Sequence, residues 1–138
     1  MLSQANPSQT KDDIAALRRE AGAYVRSKRE SAGLSQRDLA NRVNLEHYTF
    51  ISQIEAGRGR VPPDRYEAYA VALGVDTREF AMTMLKFHEP HTYRLLFPEA
   101  ARADEAAGKA KEAAKAEEKS LIAQLQERLA RLESKFGD

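Results

Sequence analysis

Four residues that accept a left-handed backbone, Gly33, Asn44, Gly57 and Gly74, fall 11 to 17 residues apart through the first half of the chain. Each follows a stretch with apolar side chains at helical spacing, and each closes a helix, because glycine and asparagine take the conformation that terminates an α turn. The pieces between them are too short to hold as isolated helices in water, so they must share one core. The first helix starts near Thr10, an N-cap, and carries Ile14, Leu17, Ala21 and Tyr24 inward. The second begins at Ser35, where "SQRD" reads as a capping box, and turns Leu39, Ala40 and Val43 to the core. The third covers about residues 47–56.

"RVPPD" is extended, since a residue before proline is pushed out of the α region. A fourth helix runs from about Asp64 to Leu73, and a fifth from Asp76 to about Phe87, burying Phe80, Met84 and Leu85. Pro90 opens one more short helix, which ends before Pro98. Beyond Pro98 the composition changes: residues 99–119 hold almost nothing but Ala, Glu, Lys, Arg and Asp. Large apolar residues return as Ile122, Leu125, Leu129, Leu132 and Phe136, in steps of three and four. Ile122, Leu129 and Phe136 take position a of a heptad, and Leu125 and Leu132 position d. Arg128 then falls at g and Glu133 at the e position five residues on, the spacing of an interchain ion pair in a parallel dimer.

The expected architecture is all-α. Residues 1–10 form a disordered arm, 11–87 a five-helix domain, 88–98 a short helical extension, 99–119 a charged helical linker, and 120–137 a coiled-coil oligomerisation segment. A hydrophobic content of 42% over 138 residues supports one core, and 31% charged residues fit the long solvated helix. There is no cysteine, so neither a disulfide framework nor a thiolate metal site is available. No apolar run approaches the ~18 residues that cross a bilayer, and the polar N-terminus lacks an export pattern. No membrane association is expected, and the cytoplasm is the expected compartment.

Charge and the third helix point to function together. Residues 18–60 hold nine Lys or Arg against five Asp or Glu, a net of +4, whereas the chain from Glu99 onward has a net of −1. On a wheel of residues 47–56, Phe50, Ile51 and Ile54 fall on one side, expected to pack against the second helix. Thr49, Ser52, Gln53 and Ala56 form the opposite stripe. That stripe is small, polar and uncharged, so it can approach a polyanion, and an amide can donate and accept together on an adenine edge. Two short helices joined by a tight turn, the second with such an outer face, make a helix-turn-helix.

"VRSKRESAGLSQRDLANRV" followed by "FISQIEAGRGRVPPDRYEAYAVALGV" resembles the XRE family of helix-turn-helix regulators, which includes the phage Cro and repressor proteins. The likeness covers about residues 18–85 and rests on "GLSQRDLA", "ISQIEAG" and "LGV". It implies a five-helix repressor-like domain that binds double-stranded DNA, in a cytoplasmic chain of bacterial or phage type. It also implies that Tyr48, Thr49, Ser52 and Gln53 face base edges. Ser35, Gln36 and Arg37 would hold phosphates at the start of the second helix, and Arg58 and Arg60 beyond the groove. Arg29 and Glu55 would form an internal ion pair. The family turn commonly reads Leu-Gly-Val-Ser, whereas this chain has "VNLEHYTF", with Asn44 for the glycine and one extra residue before Ile51. Gln53 keeps its distance to Ile51, Ile54 and Gly57.

The resulting expectation is a transcriptional regulator that acts as a homo-oligomer at inverted-repeat sites. No cofactor is expected. His88 and His91 are three apart but have no cysteine or carboxylate ladder beside them, so no metal is expected either. No nucleophile–base–orienter set points to catalysis. Two alternatives stay open. One is an antitoxin-like or other protein-binding module whose C-terminal helices hold a partner. The other is a weakly specific architectural DNA binder, or a partner of RNA polymerase.

Overall fold

The structure, a computed structural model, describes residues 10–137. Of the expected arm, only Thr10 lies among them. All regular structure in the described residues is helical: α1 (Lys11–Ser31), α2 (Gln36–Arg42), α3 (Thr49–Glu55), a 3-10 turn (Pro63–Arg65), α4 (Tyr66–Leu73), α5 (Thr77–His88), α6 (Pro90–Leu96) and α7 (Pro98–Phe136). They fall into two units, divided between Leu96 and Phe97.

Local chemistry sets the helix ends. Asp13 N–H donates to Thr10 Oγ1 at 3.2 Å while Thr10 N–H donates to Asp13 Oδ2 at 3.1 Å. Ser35 and Asp38 repeat that reciprocal box at the start of α2, at 2.9 and 3.0 Å. Asp76 caps α5 by accepting from Glu79 N–H at 3.0 Å. The stops expected at residues 33, 44, 57 and 74 all have positive φ. Asn44, at φ 57°, is the one non-glycine among the described residues to do so, standing where the glycine of the family turn would be.

The core of the first unit draws on every helix from α1 to α5. Val25, Leu39, Val43, Ile51, Val61, Phe80 and Met84 are fully enclosed. Phe80 sits among three tyrosines, with ring centroids 6.1 Å from Tyr24, 5.9 Å from Tyr66 and 6.4 Å from Tyr69. These tilted, edge-on and stacked contacts add to the area buried. Leu85, expected to be buried, is half-buried, and Ile14 is exposed near the start of α1. The short helix expected as an extension packs on α5 and buries Tyr93, so the first unit runs through Leu96.

The second unit is α7, a single helix of 39 residues, about 58 Å long at 1.5 Å per residue. Its Ala, Glu and Lys content suits the helix without tertiary support. An exposed Glu127–Arg131 pair at 2.7 Å adds a few tenths of a kcal/mol at most. Ile122, Leu125, Leu129, Leu132 and Phe136 are all exposed. No helix among the described residues is long and apolar enough to cross a membrane.

α1 meets α3 backbone to backbone at Gly22. A Cβ there would lie 2.4 Å from Glu55 O and 2.5 Å from Ile54 O. Alanine is intrinsically the better helix former by about 1 kcal/mol, but backbone carbonyls cannot step aside, so the clash decides the sign. Gly22→Ala is expected to lower the thermal midpoint by at least ~10 °C, as followed by circular dichroism. An unchanged or higher midpoint would show that the two helices separate freely.

Candidate nucleic-acid interface

α3 has only seven residues, and two of them, Ile51 and Ile54, are buried. Thr49, Gln53 and Ala56 are exposed on the opposite side, and Ser52 is half-buried beside them. The neutral polar stripe expected from the sequence therefore faces solvent. Phe50 is a correction: it was expected to pack inward and is instead 57% exposed. The helix starts at Thr49 rather than 47, so Phe50 occupies its first turn. It also lies about 100° round from Ile51, past the narrow face that reaches the core.

The segment that follows α3 is folded back on it. Arg58 N–H and Gly59 N–H both donate to Gln53 O, at 2.9 and 3.1 Å, and Gly57 N–H donates to Ile54 O at 3.1 Å. Gly57 adopts φ +78° where it passes α1, and a Cβ there would stand 3.0 Å from Arg19 Cα. The turn thus ties Arg58 to the C-terminal end of α3, and both Arg58 and Arg60 are exposed. Arg60 lies 3.5 Å from Glu89, an exposed and loosely held pair.

At the other flank, Arg37 at the start of α2 is exposed, and its guanidinium lies over the Tyr48 ring, 5.0 Å from the centroid. Tyr48 precedes α3 without a side-chain cap. Ser35 accepts the Asp38 N–H on its hydroxyl and donates its own N–H to Asp38 Oδ2. Hydrogen bonding from the Ser35 backbone first, then from its side chain, holds the Asp38 carboxyl below the usual carboxylate range. Gln36 donates one amide hydrogen to Glu55 Oε2 at 2.9 Å, which leaves the second. Of the residues expected at the start of α2, Arg37 is the one that offers a charged side chain to solvent, across the Tyr48 ring.

Beneath this surface lies the ion pair. Arg29 donates to Glu55 Oε1 through Nε at 2.9 Å and through Nη2 at 2.8 Å, and to Leu34 O through Nη1 at 2.8 Å. Both side chains are nearly enclosed, at 10% and 4% exposure. One guanidinium thereby joins the end of α1, the α1–α2 turn and the end of α3, while Gln36 adds α2 through the same carboxylate.

Two contacts escaped sequence reasoning: the Gln36–Glu55 bond, and a bond from the Arg65 guanidinium to Val43 O at the end of α2. They join residues 19 and 22 apart with no periodic signal. Away from the face, His91 Nδ1 lies 2.6 Å from Arg94, and His88 Nδ1 is buried without a partner. Burial first, then the Arg60 and Arg18 charges, hold the His88 pKa below that of an ordinary imidazole. No cluster of three His, Cys, Asp or Glu among the described residues could bind a metal.

Removing one member of the buried pair strands the other. Glu55→Ala should cost about 3–5 kcal/mol in urea unfolding, whereas the joint change Arg29→Met with Glu55→Leu should recover much of the loss. Equal losses in the single and joint variants would mean that the pair contributes through packing alone.

Residues 20–81 match a family described as a helix-turn-helix domain. The match begins within α1, takes in α2, α3 and α4, and ends within α5. No curated protein matches the chain. Residues 20–81 are a helix-turn-helix domain, a DNA-binding architecture in which α2 supports and α3 presents the outer face.

Proposed function

We propose that this chain is a sequence-specific, double-stranded DNA-binding transcriptional regulator that acts as a homo-oligomer. The observation that carries the reading is the exposed stripe of neutral hydrogen-bonding side chains on α3, with Arg37 over the Tyr48 ring just before the helix and exposed Arg58 and Arg60 just past its end. A stripe without carboxylates enters the major groove without repelling phosphate. The Gln53 amide can pair with adenine N6 and N7 together, with Thr49, Ser52 and Tyr48 reaching neighbouring edges. Ser35, Gln36 and Arg37 at the start of α2, with Arg58 and Arg60, hold the backbone and fix the register of α3. The protein would act in the cytoplasm, at the nucleoid, and needs no cofactor for this task.

The exposed heptad positions of α7 support self-association. Five large apolar side chains on one line of a solvated helix are costly to leave in water, and a second copy offers a matching seam. Two copies would set two α3 helices into successive major grooves, about 34 Å apart, at an inverted repeat. The same exposed stripe also favours a second reading, in which α7 holds a different protein, as an antitoxin holds its toxin.

Base reading and backbone grip separate by mutation. Gln53→Ala should lose about 1–3 kcal/mol on a selected duplex and little on a scrambled one. Arg37→Ala should weaken both duplexes alike and flatten the slope of log affinity against log salt by about 0.9. Equal weakening of the selected and scrambled duplexes by Gln53→Ala would remove the base-reading role. For assembly, Leu125→Glu with Leu132→Glu, or removal of the chain after Pro98, is expected to lower the mass measured by light scattering. An unchanged mass, with a small unrelated protein co-purifying, would favour the second reading.

A further inference from the structure

The large apolar side chains exposed on the first unit are Ile14, Tyr48, Phe50, Val71, Leu95 and Leu96. Two of them stand at α3, and Tyr48 is covered on one face by Arg37. Phe50 is left, 57% exposed, in the first turn of the helix that carries Gln53. Phe50 and Gln53 are three residues apart, so their side chains are neighbours on the helix surface, separated by about 60° and a rise of ~4.5 Å. The Arg58–Gly59 turn, whose N–H groups are tied to Gln53 O, lies at the other end of the helix. The Phe50 ring thus stands exposed beside the amide proposed to read bases. The apolar object that a major groove offers in such a place is the 5-methyl group of thymine.

We infer that Phe50 is a specificity-determining residue that packs on a thymine methyl, on the base pair next to the one read by Gln53. This inference rests on the DNA-binding reading proposed above and deepens it. The two side chains divide the work. Gln53 recognises by hydrogen bonding, which a mismatched edge leaves unpaired, and Phe50 recognises by shape and desolvation. A base step of about 3.4 Å is within the reach of two side chains offset by one helical turn, so adjacent pairs are read by adjacent residues. Cytosine at that position presents an amino group and no methyl, and deoxyuridine removes the methyl alone while keeping every hydrogen-bonding group.

The test uses the full chain and a duplex selected from a random pool. Each thymine of the selected site is replaced in turn by deoxyuridine. Wild-type protein is expected to lose roughly fourfold in affinity at one position beside the adenine whose contact Gln53→Ala abolishes, which is the worth of one buried methyl. Phe50→Ala should bind the thymine and deoxyuridine duplexes equally, and Phe50→Leu should retain part of the difference. Circular dichroism melting checks that Phe50→Ala keeps the wild-type fold, as its exposure implies. The inference is overturned if wild-type protein ignores deoxyuridine at every position, or if Phe50→Ala still discriminates. It is also overturned if Phe50→Ala lowers the mass in solution, which would make the ring a contact between copies. Should the wild-type chain select no duplex at all, the DNA-binding reading fails together with it, whereas insensitivity to deoxyuridine with Gln53 discrimination intact removes Phe50 alone.

Discussion

A guanidinium and a carboxylate taken out of water together hold the first unit in register. Arg29 and Glu55 lie 26 residues apart in the chain, and their hydrogen bonds join the end of α1, the α1–α2 turn and the end of α3. Apolar contact does not care about direction, so Ile51 and Ile54 alone would leave α3 free to slide along or rotate against α1. A planar fork on a carboxylate has one good geometry, and it fixes the roll of α3 about its own axis. Such a pair stabilises little by itself, because desolvation offsets most of the attraction. Its contribution is orientation: which residues of α3 face outward follows from where Glu55 is anchored.

The other devices near α3 serve the same end. Gly22 lets two backbones approach where any side chain would intervene, and Gly57 passes α1 so closely that a Cβ would fit only tightly, 3.0 Å from Arg19 Cα. Arg65 secures the end of α2 from the far side. Arg37 and Tyr48 connect the start of α2 to the approach of α3 by a cation over a ring. The outer face of α3 takes part in none of these contacts. A surface that reads DNA, the role proposed for this face, has to be rigid and unoccupied at once, and here the inner side supplies the rigidity.

What could be read from the sequence was what depends on near neighbours. Both capping boxes involve residues three apart, and the left-handed stops are single residues, so Thr10, Ser35, Gly33, Asn44, Gly57 and Gly74 announced the helix limits. The heptad of α7 is likewise local. The Arg29–Glu55 pair came from the family resemblance, since no periodicity links those positions. Phe50 was misplaced because a wheel of a seven-residue helix shows a direction without showing how wide the core-facing side is. Two isoleucines fill that side, and a third large group has nowhere to go. The Gln36–Glu55 and Arg65–Val43 bonds join segments that only the packed fold brings together.

The two hydrogen bonds received by the Gln53 carbonyl have an evolutionary consequence. They tie the Arg58–Gly59 turn to the main chain of α3 and leave the side chains at 49, 50 and 53 uninvolved. On the DNA-reading role proposed above, the vocabulary of the reading head is thereby uncoupled from its mounting. Under that proposal, lineages could exchange these outward residues, and so address new promoters, without re-engineering the turn or drawing on thermal reserve.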